Sequence, residues 1–110
     1  MEECIFCNIL NKKIPAEFVY EDEKFFVIND IAPKAPIHLL IISKKHIFSV
    51  ASLEEEEKEL AGEILFLAKK MGDDMKLPGY KLVFNVGREG GQMVDHLHLH
   101  LLSGKLEELP

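Results

Sequence analysis

Hydrophobic positions along the chain fall into several short runs and one long stretch with helical spacing. Residues 18–20 and 24–29 place aromatic and β-branched side chains on either side of the polar residues 21–23, which predicts a β-hairpin. The aliphatic run at residues 38–43 follows a loop with two prolines and predicts a third strand, buried on both faces. Residues 80–86 and 96–102 predict a fourth and a fifth strand.

Two helices are predicted from the spacing of apolar residues. The long helix follows a capping box formed by Ser52 and Glu55, its apolar residues recur as far as Met75, and Pro78-Gly79 ends it. A short helix is predicted at residues 4–10. Strands joined by short turns around one long helix indicate an α+β fold, with a mostly antiparallel sheet of about five strands covered on one face. No linker or repeat interrupts the pattern, so residues 1–110 are expected to form a single domain.

The composition narrows the classes of function. With 47% hydrophobic and 29% charged residues among 110, the chain is typical of a soluble globular protein. The net charge of -6 argues against binding to a nucleic acid polymer, which requires many Lys and Arg contacts to phosphates. The longest apolar runs fall far below the roughly 20 residues of a membrane-spanning helix, so no membrane association is expected. Glu2 and Glu3 replace the basic start of a signal peptide, which predicts a cytoplasmic protein.

Histidine alternates with leucine at residues 96–101, in the last predicted strand. In a strand the leucines would enter the core, while His96, His98 and His100 would share the other face about 6.6 Å apart, from a rise of about 3.3 Å per residue. A polar strand face that happens to use histidine is one explanation. The others are imidazoles that act together on one substrate and imidazoles that bind zinc, as in three-histidine catalytic sites. The spacing alone does not separate the two functional explanations.

A glycine-rich segment, residues 85–92, directly precedes this row of histidines. Its three glycines would let main-chain amides turn toward an anion, and phosphate is the natural guest of such a loop. Glycine-rich segments between strands are more often plain turns, but the neighbouring histidines favour the functional interpretation. Amide donors beside an imidazole nucleophile are what phosphoryl or nucleotidyl transfer requires.

The run His96-Leu97-His98-Leu99-His100-Leu101-Leu102 resembles the motif of the histidine-triad (HIT) family, in which three histidines alternate with apolar residues. The similarity extends over nearly the whole chain and points to the nucleotide-binding, Hint-like branch, through residues 5–6, 14–16, 29–31, 35–38, 44–47 and 90–92. The resemblance implies a homodimer that hydrolyses purine nucleoside 5'-phosphoramidates or related 5'-nucleotides without a catalytic metal. Two alternatives stay open: a nucleotide-binding module with weak catalysis, and a dinucleoside polyphosphate hydrolase.

The resemblance also implies roles for individual positions. His98 would be the nucleophile that forms a covalent nucleotidyl intermediate, and a main-chain carbonyl would orient its other nitrogen. His100 would hold the α-phosphate, His38 would complete the polar network, and Asp30 would accept hydrogen bonds from the ribose hydroxyls. The remaining nucleotide-binding positions, which would wall the base or contact the phosphate and its loop, are Ile5, Phe6, Ile28, Ile31, Asn85, Gly91, Gln92, Met93 and Val94.

Two features of the sequence, one residue and one segment, depart from the family's pattern. Met93 stands where related enzymes often carry serine or threonine near the leaving group, which puts protonation of the leaving group in question. The tail at residues 105–110 lacks the tryptophan that some relatives send toward the neighbouring active site, so the substrate preference is expected to differ.

Cys4 and Cys7 form a C-x-x-C pair and are the only cysteines of the chain. With His46 and His96 the pair resembles a structural zinc site of several bacterial members of the family, and two thiolates with two imidazoles suit tetrahedral zinc. A metal-free pair and a redox pair are the alternatives, although the redox pair lacks the usual strand-then-helix context. If His96 is a zinc ligand, it supports the strand and His98 instead of taking part in the chemistry.

Overall fold

The computed structural model describes residues 4–105, which contain a five-stranded sheet and two α-helices. The strands are β1 (Tyr20–Glu21), β2 (Phe25–Asn29), β3 (Ile37–Ser43), β4 (Lys81–Val83) and β5 (His98–Ser103), and the helices are α1 (Ile5–Leu10) and α2 (Lys58–Asp74). Every neighbouring pair of strands is antiparallel, in the order β1-β2-β3-β5-β4. The predicted α+β fold is therefore confirmed. Glu2, Glu3 and the tail at 106–110, from which arguments were drawn above, lie outside the described residues.

Helix α2 packs on one face of the sheet, because odd-numbered residues of the three central strands point toward it. Leu39 and Ile41 of β3 pair in register with Leu101 and Leu99 of β5, and all four are nearly inaccessible to solvent. On the helix, buried residues recur at spacings of three and four, which is the pattern of an apolar helical stripe. They are Ile64, Leu67, Ala68 and Met71.

The opposite face of the sheet carries a second cluster, in agreement with the predicted burial of the third strand on both faces. Phe26 and Ile28 of β2 and Leu40 and Ile42 of β3 are buried there, against the short helix α1. Even-numbered residues of β3 and β5 share this face, because neighbouring side chains of a strand alternate between its two sides. The strand period therefore places His38, His98 and His100 on the α1 side of the sheet.

The strands are shorter than predicted at several ends. In the first hairpin, one carboxylate oxygen of Asp22 accepts hydrogen bonds from the main-chain N–H groups of Lys24 and Phe25, both at 2.8 Å, and these bonds close the turn. The fourth strand ends at Val83 instead of residue 86, because its pairing with β5 ends at His100 and the chain then enters the glycine-rich loop.

The start of the long helix differs from the prediction. Ser52 and Glu55 do not form the capping box, since Leu53 adopts an extended conformation and separates two short 3₁₀ turns at Val50–Ser52 and Glu55–Glu57. The capping box is formed instead by Glu54 and Glu57, and the main-chain N–H of Glu54 donates to Glu57 Oε1 at 2.7 Å. Four consecutive glutamates offer several equivalent registers for this motif, so local sequence did not select the right one. No described helix is both long and apolar enough to cross a membrane.

Candidate active site

A cleft of about 550 Å³ opens on the α1 side of the sheet. This volume is in the usual range of small-molecule sites, roughly 300–1,000 Å³. Helix α1, the loop between β2 and β3, and the glycine-rich loop all contribute to its lining. The expected site residues that line the cleft are Ile5, Phe6, Ile28, Asp30, Ile31, His38, Asn85, Gly91, Met93, Val94, His98 and His100.

His98 is held by the main chain on one side and lines the cleft with its ring. Its Nδ1 lies 2.7 Å from the carbonyl oxygen of His96. A carbonyl oxygen can only accept, so Nδ1 carries the proton and the neutral ring keeps an unshared electron pair on Nε2. Burial lowers the pKa of His98 below 6.5, which favours this neutral form at pH 7. The ring therefore has the tautomer and the charge state of a nitrogen nucleophile.

His38 and His100 form a hydrogen-bonded pair beside His98. His38 Nε2 lies 2.9 Å from His100 Nδ1, and the ring centroids of His98 and His100 are 5.0 Å apart. Burial, followed by the neighbouring imidazoles, lowers the pKa of His100 to about 4. Burial also lowers the pKa of His38. The cleft thus presents uncharged imidazoles at neutral pH, able both to donate and to accept hydrogen bonds.

His96 lies apart from the other two histidines of the row. It precedes β5, and its ring is fully buried beneath the start of α1, next to Phe6 and His46. The expectation that three evenly spaced imidazoles surround one substrate therefore applies to His98 and His100 alone. His96 faces α1, as His98 does, but its ring nitrogens lie beside the two cysteine sulfurs and the carbonyl of Ser43 and not in the cleft.

Asp30 stands at the mouth of the cleft, in the loop that connects β2 and β3. One carboxylate oxygen accepts from the main-chain N–H of Ala32 at 2.8 Å, and the other lies 3.4 Å from His38 Nε2. The position next to the histidines leaves the carboxylate available to hydroxyl donors of a bound ligand. On the apolar wall, Phe6 is buried, whereas Ile31 is 95% exposed and contributes only to the rim of the cleft.

The glycine-rich loop is ordered by hydrogen bonds within itself. The N–H groups of Gly90 and Gln92 donate to the carbonyl of Gly87, and that of Gly91 donates to the carbonyl of Arg88. Gly87 and Gly91 have φ values of 73° and 89°, the left-handed region that glycine adopts at little cost. These three amides are occupied, so the anion-binding nest expected from sequence is not preformed at them. The loop therefore has no free main-chain donor at Gly90, Gly91 or Gln92.

Gln92 stabilises the glycine-rich loop from the protein interior and does not line the cleft. Its side chain is 2% exposed, accepts from Gly87 N at 2.9 Å, and donates to the carbonyls of Phe48 and Val94. Each polar atom of the amide is used, so Gln92 ties three segments together. Asn85 packs on the same loop and donates to the carbonyl of Gly90 at 2.9 Å, while it also lines the cleft.

No role was predicted from sequence for the charged residues Arg88, Asp95 and Lys34 of this region. Arg88 pairs with Asp95 through two parallel hydrogen bonds of 2.8 and 3.0 Å, and it also donates to the carbonyl of Gln92. Lys34 lines the cleft, and its main-chain N–H donates to His38 Nδ1 at 3.0 Å. Neither contact has a signal in sequence, because both depend on loop conformations rather than on the period of a helix or strand.

Cys4, Cys7, His46 and His96 converge at the start of α1, with their ligand atoms all within 4.8 Å of one another. Cys4 Sγ and Cys7 Sγ lie 3.2 and 3.6 Å from His96 Nδ1, and Cys7 Sγ lies 3.3 Å from His46 Nδ1. The His96 ring donates from Nε2 to the carbonyl of Ser43 at 2.7 Å, which leaves an electron pair on Nδ1 for a cation. Burial raises the pKa of the Cys7 thiol to about 11, so a bound cation is needed to form its thiolate at neutral pH. The cluster thus fits a metal ion.

Comparisons with known proteins agree with this geometry. The family model described as "Scavenger mRNA decapping enzyme C-term binding" matches residues 3–109. An uncharacterized HIT-like protein of Synechococcus elongatus is 41% identical over 94% of this chain and 92% of its own length. A HIT family hydrolase from Legionella pneumophila superposes with a TM-score of 0.92 at 46% identity, covering 98% of both chains. A histidine triad nucleotide-binding protein from Candida albicans has a TM-score of 0.81 at 32% identity, covering 98% of this chain and 83% of that one.

The fold and the histidine motif are those of the HIT family hydrolases. The chain belongs to the HIT family.

Proposed function

We propose that the protein hydrolyses purine nucleoside 5'-phosphoramidates or related 5'-nucleotides, with His98 attacking the α-phosphate. The observation that most directly supports this proposal is the hydrogen bond of 2.7 Å from His98 Nδ1 to the carbonyl of His96. It directs the unshared pair of a buried neutral imidazole to Nε2, in a cleft that also holds a hydrogen-bonded histidine pair and an apolar wall. A nucleophile, polar groups beside it and a surface for a base are the parts that this reaction needs.

The reaction proceeds in two displacements. His98 Nε2 forms a bond to phosphorus as the bond from phosphorus to the leaving amine or phosphate breaks, and the leaving group departs with a proton. Water then attacks the nucleotidyl-imidazole, releases the nucleoside 5'-monophosphate and restores neutral His98. His100 donates a hydrogen bond to a non-bridging oxygen of the α-phosphate in both transition states. Met93 is 81% exposed at the cleft, and its thioether cannot donate a proton, so the leaving group takes its proton from solvent or from another group.

The nucleoside is held by complementary parts of the cleft. The Asp30 carboxylate accepts hydrogen bonds from the two ribose hydroxyls, for which a pair of oxygens is well suited. Ile5, Phe6, Ile28 and Ile31 wall the base, and a bound purine covers the exposed Ile31. Asn85 donates to the phosphate, while Gly91, Met93 and Val94 border it and Gln92 holds the loop. The nucleotide-binding relative from Candida albicans supports this class of ligand.

The cysteine and histidine cluster holds structural zinc in this proposal. Two sulfur and two nitrogen ligands form the closed tetrahedral set of a structural site, and no reacting group needs to bind this ion. When bound, the ion supplies no chemistry to the phosphate and acts only by fixing α1 and His96. Reduced thiols are required, which agrees with a cytoplasmic protein.

The proposal includes a homodimer of single-domain chains that span residues 1–110. β4 is an edge strand of the sheet, and an edge of this kind is able to pair with a second copy. Leu82 of this strand is 37% exposed, and Tyr80, directly before it, is 36% exposed. Exposed apolar side chains beside a strand edge favour continuation of the sheet across two subunits. Sedimentation analysis tests this part, and a protein that remains monomeric at high concentration contradicts it.

Intact-protein mass spectrometry tests the reaction directly. The protein is mixed with adenosine or guanosine 5'-phosphoramidate and quenched in alkali, in which a phosphoramidate bond to imidazole survives. We expect a species heavier by one nucleoside monophosphate, and its loss in His98→Ala together with loss of turnover. Lys69→Ala, a change on the exposed side of α2, serves as the control variant. Full turnover in His98→Ala refutes the nucleophile, while nucleotide binding without adduct or turnover indicates a binding module instead. Relative rates on a dinucleoside polyphosphate decide between the two classes of substrate.

A further inference from the structure

We propose that the main-chain N–H of Lys34 fixes the positions of the protons on His38 and His100, and thereby makes His100 a hydrogen-bond donor toward the cleft. Lys34 is a positioning residue in this inference, and it acts through its backbone. The order of the protons follows from contacts of the free protein. Only its use on a phosphate rests on the proposed function.

The main-chain N–H of Lys34 donates a hydrogen bond to His38 Nδ1, at 3.0 Å. A main-chain N–H can only donate, so the ring nitrogen that faces it must carry an electron pair. A neutral imidazole has one proton, and this proton of His38 is therefore on Nε2. The His38 side chain is nearly fully buried, and its other nitrogen has well-defined neighbours.

The position of the proton on His38 in turn determines the position of the proton on His100. His38 Nε2 lies 2.9 Å from His100 Nδ1 and 3.4 Å from a carboxylate oxygen of Asp30. Both neighbours accept, and the shorter contact is the one to the imidazole. His100 Nδ1 must then carry an electron pair, which leaves the proton of the neutral ring on Nε2. With the opposite tautomer on His38, Nε2 of that ring would carry an electron pair and His100 Nδ1 would have to donate across this 2.9 Å contact, which would remove the proton from His100 Nε2.

The tautomer of His98 is opposite to that of His100. At His98 a carbonyl, that of His96, faces Nδ1, and it forces the proton onto Nδ1 and the electron pair onto Nε2. Two histidines separated by one residue of β5 thus carry opposite tautomers, one set by a main-chain acceptor and the other by a main-chain donor. His98 offers a nucleophilic nitrogen and His100 offers an N–H. A phosphate between them meets one group that attacks phosphorus and one that stabilises charge on oxygen.

The loop that carries Lys34 is well suited to hold a fixed donor. Pro33 and Pro36 restrict its backbone and have no N–H themselves. At its start, the hydrogen bond from Ala32 N to the Asp30 carboxylate fixes the turn. The ammonium group of Lys34 donates to the carbonyl of Ala32 at 3.4 Å, whereas the hydrogen bond to His38 comes from the main chain and not from the side chain.

Tautomers of histidine are measured directly by long-range proton–nitrogen correlation in ¹⁵N-labelled protein at neutral pH. We expect protons on Nε2 of His38 and of His100, and on Nδ1 of His98. No substrate and no turnover are needed. A proton on Nδ1 of either His38 or His100 overturns the inference, whereas failure of the nucleotidyl transfer experiment leaves this result unaffected. The two proposals therefore fail separately.

A matched pair of variants isolates the backbone donor. Lys34→Ala and Lys34→Pro both remove the ammonium group, but only proline removes the N–H. We expect Lys34→Ala to keep the wild-type tautomers and Lys34→Pro to shift His38 toward a proton on Nδ1. On the phosphoramidate, kcat of Lys34→Pro should fall by up to about 100–1,000-fold below that of Lys34→Ala, the usual order for losing one transition-state donor. KM should change less than kcat. The inference is refuted if both variants fold and show the same tautomers and the same kcat. If Lys34→Pro does not fold, the tautomers measured in the wild-type protein decide.

Discussion

The ring of Phe6 stands edge-on to the imidazole of His98, with centroids 5.1 Å apart and planes inclined by 71°. Phe6 lies on α1, between the two cysteines of the cluster that fits a metal ion. The same ring also contacts His96, whose carbonyl accepts the hydrogen bond from His98. The cluster and the cleft therefore share α1 as a wall, and a change at one is transmitted to the other through packed groups.

Metal removal is expected to weaken nucleotide binding without abolishing the chemistry. Loss of the ion frees Cys4 and Cys7, so α1 and the wall formed by Ile5 and Phe6 become less ordered. Calorimetric titration with AMP, on zinc-loaded and chelated protein, should show an affinity lower by about 5–50-fold after chelation, within the usual range of coupling between two sites. By linkage, AMP should strengthen zinc binding by the same factor.

Controls separate this coupling from a catalytic role of the ion. The melting temperature should also fall on chelation, because a structural metal stabilises the folded state. Turnover at saturating substrate should persist in the chelated protein, since the proposed attack of His98 on phosphorus involves no metal. Complete loss of kcat in folded, chelated protein would instead support a metal-dependent reaction. Identical AMP affinities in the two states would exclude coupling through α1.

The ion pair of Arg88 and Asp95 is expected to preorganise the glycine-rich loop. Arg88 also donates to the carbonyl of Gln92, so one guanidinium joins both ends of the loop. Arg88→Ala and Asp95→Asn should each raise KM for the nucleotide only about 2–5-fold, because solvent screens an exposed ion pair and limits its contribution. The double variant should be no worse than the worse single variant. Strictly additive effects, or effects unchanged in high salt, would show that the pair does not act as a unit.

Much of the fold could be predicted, because it depends on periodic patterns. The alternation of histidine and leucine placed Leu99 and Leu101 toward α2 and His98 and His100 on the other face, as the structure has them. His38 joins them because β3 pairs with β5 in a register that sets Leu40 opposite His100. Register between strands distant in sequence has no local signal, so only the resemblance to a family suggested that grouping.

The parts that sequence could not supply depend on individual hydrogen bonds. The glycine-rich loop was expected to offer free amides, but the carbonyls of Gly87 and Arg88 occupy those of Gly90, Gly91 and Gln92. The position of Ser52 suited a helix cap, yet the extended Leu53 shifts the capping box to Glu54 and Glu57. In each case several local partners were equally close in sequence, and tertiary packing selected among them.

Two glycines of α2 are expected to respond oppositely to replacement by alanine. A Cβ at Gly72 would lie 2.5 Å from Cε2 of Tyr80, so the ring must move, and overpacking of this kind costs about 1–3 kcal/mol. A Cβ at Gly62 meets nothing within 4 Å, and alanine in a helix is favoured over glycine by about 0.5–1 kcal/mol. Chemical denaturation should therefore show Gly72→Ala less stable and Gly62→Ala more stable than wild type. Destabilisation by both would mean that helix propensity does not govern the exposed site.

The histidine pair also predicts how stability depends on pH. Burial lowers the pKa of His100 from 6.5 to about 4, so at pH 5 the unfolded chain holds a proton there that the folded protein lacks. The free energy of unfolding must therefore decrease as the pH falls from about 6.5 toward about 4. Above pH 6.5 the imidazole is neutral in both the folded and the unfolded state, so this loss of stability is absent there. His100 is partly accessible, so we expect less than ~2 kcal/mol from it after allowance for solvent screening. Denaturation of wild type and His100→Gln at matched zinc loading checks this. Glutamine does not titrate, so its curve should lie flatter between pH 4 and 6.5, whereas parallel curves would mean that His100 is protonated equally in both states.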